Sequence, residues 1–189
     1  MNRFHQTLLI ASFLPLCWLG MMAVHELGHV LGAWATGGTV ARVVLHPVTI
    51  SRTDLAINPR PLFVVWAGPT IGVLLPLAVL GLFVVAKWHG AYLVRFFAGF
   101  CLIANGAYIG VGSFDAIGDA GDMLHHGSPA WLLWLFGVVT IPLGLRLWHG
   151  LGPRFGIGKD AEEVERGVAY LCAALLVVVV TLELALSPR

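Results

Sequence analysis

About five long apolar stretches, separated by short polar segments, dominate this chain of 189 residues. A helix needs about 20 mainly apolar residues to cross the hydrocarbon core of a bilayer, and each stretch supplies them. Hydrophobic residues form 58% of the chain and charged residues only 11%, which is too little charge to cover a water-soluble surface. The sequence therefore predicts an all-α polytopic membrane protein, folded as a single integral membrane domain over 1–189. The predicted spans are approximately 7–35, 62–86, 91–111, 129–148 and 164–186.

The charge and cysteine content argue against several classes of function. Eleven basic residues nearly balance ten acidic residues, so the chain lacks the basic surface expected of a nucleic-acid-binding protein. Cys17, Cys101 and Cys172 each lie alone in an apolar stretch, without the CxxC spacing of a thiolate zinc site. We expect these cysteines to be small, buried hydrophobic residues.

The distribution of positive charge predicts an orientation. Lys and Arg near the span ends are more numerous on the side of the N-terminus than on the opposite side. Because cytoplasmic loops carry the excess of positive charge, we expect a cytoplasmic N-terminus, in the cell (plasma) membrane. The segment 7–19 resembles a signal peptide, but no small-residue cleavage site precedes His25, which favours a retained span.

A β-rich segment lies in the longest polar connection, 37–61. Residues 40–45 and 48–52 are rich in Val, Thr and Ile, and His46-Pro47 interrupts the run. This pattern predicts two short strands or a hairpin, which form a membrane-associated β segment at about 40–52.

The sequence His25-Glu26-Leu27-Gly28-His29 lies inside the first span. Residues four apart share one face of a helix, so both imidazoles can reach one metal ion. Glu26 can take a proton from a water molecule bound to that metal. Each charged side chain at the centre of a bilayer costs about 2.5–3.5 kcal/mol, which favours pairing or metal binding here. We therefore predict one zinc ion per chain, with His25 and His29 as ligands.

A catalytic zinc site needs a third protein ligand, and the topology of the spans selects a segment for it. The third span ends on the side of the membrane that the far half of the first span approaches. The Gly- and Asp-rich segment 113–124 follows that end and contains Asp115, Asp119 and Asp122. If a helix begins there, Asp119 and Asp122 would share a face, so that one could ligate the metal while the other orients it.

HELGH at 25–29 in an apolar helix, with an Asp-Gly-type motif after a later span, resembles the site-2 protease family of intramembrane zinc metalloproteases. The sequence DAGDML at 119–124 is similar to the DGG-x-x-L element of that family, which implies Asp119 as the third zinc ligand. Ala120 replaces the second residue of the element, so Asp122 remains the alternative third ligand. The resemblance covers about 100 residues, from the first span to Leu124.

A second element of the family is only partly present. The sequence WAGPTIG at 66–72 is similar to its AGPxxN element, but Gly72 occupies the position of the asparagine. The substrate-orienting role of that asparagine is therefore not transferred to this chain. Asn105, in the third span, could supply an amide instead, or could form an interhelical hydrogen bond.

The resemblance implies a zinc metalloendopeptidase that hydrolyses a peptide bond in or near a transmembrane segment of a substrate protein. Glu26 would be the catalytic residue and would activate the zinc-bound water. The implied partners are a membrane-protein substrate and the lipid bilayer. The β segment would present the substrate by strand addition, or would serve only as a connecting hairpin.

The alternative hypothesis is a non-proteolytic membrane protein with a structural metal site or a metal-handling role. Gly72, in place of the asparagine, favours this alternative. Glu26 argues against it, because a purely structural site has no need of a carboxylate beside the first histidine. The second, fourth and fifth spans are almost wholly apolar, whereas a transporter would show polar groups along several spans.

Overall fold

Residues 3–187 are described by a computed structural model, and within them five helices are long and apolar enough to cross a membrane. This confirms the predicted all-α polytopic fold, and the chain is a multi-pass membrane protein. The predicted spans agree with the helix bounds to about one helical turn. The helices are α1 (Arg3–Ala35), α2 (Pro61–Val85), α3 (Ala91–Asp115), α4 (Gly118–His125), α5 (Ala130–Trp148) and α6 (Arg166–Leu186), with a short 3-10 turn at Gly152–Phe155.

The helices α1 and α2 cross closely because glycine occupies the contact. A Cβ atom on Gly28 would lie 2.8 Å from the Cα of Gly68, and one on Gly32 would lie 2.6 Å from the Cβ of Ala67. Helices in a membrane associate through such close backbone packing, since lipid supplies no hydrophobic driving force between them. The crossing brings the histidine-bearing part of α1 directly against α2.

The β segment is present as an antiparallel hairpin of β1 (Thr39–Val44) and β2 (Arg52–Ile57). The second strand lies later than the predicted 48–52, because Val44 pairs with Arg52 and residues 45–51 form the connecting loop. A turn closes within this loop, where the N–H of Thr49 donates to the carbonyl of His46 over 3.2 Å. The loop is also attached to the end of α6, since the N–H of Leu45 donates to Oγ of Ser187 over 2.7 Å.

The segment after α3 folds into the short helix α4. The helix α3 continues to Asp115, about one turn beyond the predicted end of the third span. Ala116 and Gly118 then adopt left-handed backbone conformations, with φ of +49° and +52°, and they turn the chain into α4. Buried side chains from α2, α3, α4 and α5 pack together here: Val65, Ile109, Ala120, Met123 and Leu133. The position of α4 is therefore fixed by an apolar core.

Candidate metal centre

Three side chains that the sequence singled out converge between α1 and α4. The Nε2 atom of His25 lies 2.7 Å from Oδ2 of Asp119, and Nε2 of His29 lies 3.2 Å from the same oxygen. The two Nε2 atoms are 3.0 Å apart. Within residues 3–187, His25, His29 and Asp119 form the group that could hold a metal ion, with ligand atoms within 4.8 Å of one another.

The outer nitrogen of each imidazole is held by a fixed acceptor. The Nδ1–H of His25 donates to Oδ1 of Asn105 over 2.7 Å, and the Nδ1–H of His29 donates to the carbonyl of Val64 over 2.9 Å. The amide nitrogen of Asn105 in turn donates to the carbonyl of Cys101 over 2.9 Å, which fixes the orientation of its side chain. These bonds select the tautomer in which both Nε2 atoms carry a lone pair toward Asp119.

The donor set fits zinc on chemical grounds. Two imidazole nitrogens and one carboxylate oxygen, all bearing lone pairs, face one another at 2.7–3.2 Å. Such atoms repel unless a positive charge lies between them, either a shared proton or a cation. Two histidines and one carboxylate, with a further position left open, form a known ligand set of catalytic zinc.

The environment of Asp119 keeps its side chain ionised. Burial alone would raise the pKa of this carboxyl, but when a shared proton lies at Nε2, in place of a metal ion, hydrogen bonding to His25 and His29 lowers the pKa well below its usual range. Asp119 also lies in the first turn of α4, where the helix dipole favours a negative charge. The carboxylate form, which a metal ion requires, is therefore the stable form at neutral pH.

Two glycines of α2 make room for the centre. A Cβ atom on Gly68 would collide with the imidazole of His29, and one on Gly72 would lie 2.8 Å from Oδ1 of Asn105. Gly72 is the position at which the site-2 protease element has asparagine. In this structure, a side chain at position 72 would displace Asn105, which holds His25.

Glu26 lies beside the centre and is almost completely buried, with 3% of its surface exposed. Its Oε2 atom accepts a hydrogen bond of 2.8 Å from Oγ1 of Thr53, in β2. No sequence pattern indicates Thr53, because a strand pattern does not reveal which helix the strand lies against. The contact joins the hairpin to the residue that sequence analysis selected as the proton acceptor.

Three other carboxylates, those of Asp115, Asp122 and Glu183, are not part of this group. Asp122 is exposed and lines the same cavity, but Asp119 is the carboxylate that meets both histidines. Asp115 is exposed at the end of α3. Glu183 of α6 is buried, and its Oε2 atom has no hydrogen-bond partner among residues 3–187. Arg189, the nearest basic residue in the sequence, lies outside the described residues.

An open cavity of about 1080 Å³ contains the centre. The apolar side chains of Trp18, Met21 and Met22 line it on α1, one to two turns before His25. Polar residues line it elsewhere: Arg52, Asn58, Asp122 and His126.

Comparisons with protein-family models, with curated proteins and with solved structures found no match for this chain.

Proposed function

We propose that this protein is an intramembrane zinc metalloprotease of the cell membrane, which hydrolyses a peptide bond in or near a transmembrane segment of another protein. The observation that carries the proposal is the meeting of His25, His29 and Asp119 in an open cavity, with Glu26 beside them. Zinc held by the three ligands would supply Lewis acidity toward a peptide carbonyl and toward water.

Glu26 moves the proton in this mechanism. Thr53 occupies its Oε2 atom, which leaves Oε1 to accept a proton from water. The water oxygen then bonds to the carbonyl carbon, and the π electron pair of the carbonyl moves onto its oxygen. That electron pair then re-forms the carbonyl double bond, the carbon–nitrogen bond breaks with its electron pair on nitrogen, and Glu26 returns the proton to that nitrogen. A peptide and one water molecule thereby give a carboxylic acid and an amine.

The position of the hairpin favours a substrate that binds in an extended conformation. Arg52, Thr53 and Leu55 of β2 line the cavity, and β1 pairs with only one edge of β2. The other edge can accept a peptide by strand addition, which pairs main-chain groups without demanding a particular sequence. The apolar cavity wall at Trp18 and Met21 suits side chains from a transmembrane segment. Both features favour a locally unwound membrane span as substrate.

The test is cleavage by the zinc-loaded protein in lipid vesicles that contain model transmembrane peptides, with products identified by mass spectrometry. Glu26→Gln should retain zinc and lose cleavage by about 10²–10⁴-fold, since only the proton acceptor is removed. Glu183→Gln is the matched control, because it neutralises another buried carboxylate of the membrane helices, and it should cleave at the wild-type rate.

Two results would contradict the proposal. Undiminished cleavage by Glu26→Gln would refute the assigned role of Glu26. Stoichiometric zinc in a wild-type protein that cleaves none of the membrane peptides would favour the alternative, a structural or metal-handling site.

A further inference from the structure

Within residues 3–187, three uncharged polar side chains form hydrogen bonds with Glu26 or with residues of the metal centre. Thr53 donates its hydroxyl hydrogen to Glu26, while Asn105 accepts from His25 and donates to Cys101. Tyr108 differs from both, because its oxygen accepts the backbone N–H of Asp119 over 3.1 Å. The hydroxyl hydrogen of Tyr108 has no acceptor among residues 3–187.

We propose that Tyr108 is a further catalytic residue, whose hydroxyl donates a hydrogen bond to the negatively charged oxygen that forms from the substrate carbonyl. This inference rests on the proposed protease function. Preorganised donors directed at such an oxygen are among the largest contributions to enzymatic acyl transfer. Neither Thr53 nor Asn105 is available for this role, because each is already engaged with Glu26 or His25.

Contacts on two sides hold the tyrosine in place. The ring of Tyr108 meets the ring of His25 edge to face, with centroids 5.8 Å apart. Its hydroxyl lies against the backbone of Gly118, where a Cβ atom would collide with the hydroxyl oxygen. The left-handed φ of +52° at Gly118 and the absence of a side chain there allow this approach. The hydroxyl is therefore fixed beside Asp119, one of the three proposed ligands.

The hydroxyl is also accessible and protonated. Tyr108 lines the cavity, and 38% of its surface is exposed, so a substrate in the cavity can reach it. Phenols titrate near pH 10, so the hydrogen is present at neutral pH. The N–H of Asp119 polarises the hydroxyl by donating to its oxygen, and a hydroxyl polarised in this way is a stronger donor.

The experiment compares Tyr108→Phe with the wild type and with Tyr92→Phe. Tyr92 lies in the same helix, where its ring packs edge to face on Phe155, outside the cavity lining. For each zinc-loaded protein, the measurements are zinc content, kcat and KM on a transmembrane peptide, and affinity for a phosphinic peptide. The phosphinic group imitates the tetrahedral species and carries its negative charge.

We expect Tyr108→Phe to retain zinc and an unchanged KM, while kcat falls by about 10²–10³-fold. Affinity for the phosphinic peptide should fall by a similar factor, because the interaction forms with the transition state rather than with the substrate. Tyr92→Phe should match the wild type in every measurement.

The following results would overturn the inference. Wild-type kcat in Tyr108→Phe would exclude the role, and zinc loss in proportion to activity would show that the hydroxyl only supports Asp119. An equal weakening of substrate and phosphinic peptide would reduce Tyr108 to a binding residue. A wild-type protein that neither cleaves peptides nor binds the phosphinic peptide would refute the protease function itself, and this inference with it.

Discussion

Replacing Asn105 by leucine should weaken zinc binding although Asn105 is not a ligand. The side chain is 1% exposed, and it accepts the Nδ1–H of His25 over 2.7 Å. Leucine has the same branched shape and the same number of side-chain heavy atoms but accepts no hydrogen bond. The buried Nδ1–H of His25 would lose its partner, and the imidazole would be free to adopt the tautomer whose Nε2 is protonated and cannot bind a metal.

The magnitude follows from that single lost bond. A buried polar group without a partner costs about 1–3 kcal/mol, and about 1.4 kcal/mol is a factor of ten in an equilibrium constant. Loss of an outer hydrogen bond to a metal-binding histidine typically lowers metal affinity by about 10–100-fold. We therefore expect the dissociation constant of zinc to rise by about 10–100-fold in Asn105→Leu.

The assay is zinc competition against a fluorescent chelator in detergent, together with thermal unfolding of the metal-free proteins. Thr140→Val is the matched control, because Thr140 is also buried and donates to the carbonyl of Phe136 within α5. It should bind zinc as the wild type does. Wild-type zinc affinity in Asn105→Leu would refute the reasoning, and so would an equal loss in the control.

Two further predictions concern the hairpin. Thr53→Val removes the hydroxyl that donates to Glu26. A hydrogen bond to a charged group is worth about 1.5–3 kcal/mol, so we expect kcat to fall by about 10–150-fold, with KM and zinc content unchanged. Thr53→Ser should restore most of the rate, and equal rates in the valine and serine variants would contradict the role of the hydroxyl. The hydrogen bond from Arg42, together with the nearby charge of Arg52, lowers the pKa of Asp54 in the folded protein. The carboxylate therefore stabilises the hairpin at pH values above about 3.9, the ordinary pKa of an Asp carboxyl. This contribution is lost as the pH falls through the lower pKa of the folded state. Amide protection in β1 and β2, measured as the ratio of the intrinsic to the observed exchange rate, should decrease as the pH falls through this range, and Asp54→Asn should show no such decrease; a decrease that persists in the variant would exclude Asp54 as its source.

Hydropathy was sufficient to predict the spans, because an apolar helix in lipid has few alternatives. The pairing of His25 with His29 was also predictable, since it depends only on the repeat of one helix. The choice between Asp119 and Asp122 depends on how α4 is rotated. That rotation follows from the left-handed backbone at Ala116 and Gly118 and from the buried Ala120 and Met123. A left-handed alanine is rare enough that no sequence pattern indicates it.

Contacts between distant segments were the least predictable part of the site. Asn105 attracted attention as an amide inside an apolar span, but its contact with His25 joins residues 80 apart in the sequence. Thr53 reaches Glu26 only because β2 begins at Arg52, later than the pattern of 48–52 indicates. The register of the hairpin depends on its turn at 46–49 and on its attachment to Ser187, which are tertiary features.

The length of α1 places the proposed chemistry near one side of the membrane. At 1.5 Å per residue its 33 residues extend about 50 Å, whereas the hydrocarbon core of a bilayer is about 30 Å thick. A helix that exceeds the bilayer in this way must tilt or project, and its last third, which carries His25 and His29, then approaches one layer of lipid headgroups. Water, metal ions and cleaved ends would therefore be exchanged with a single aqueous compartment, the one that the hairpin faces. A transmembrane segment bound as substrate would be cleaved near one of its two ends, and the two products would separate at the membrane surface on that side.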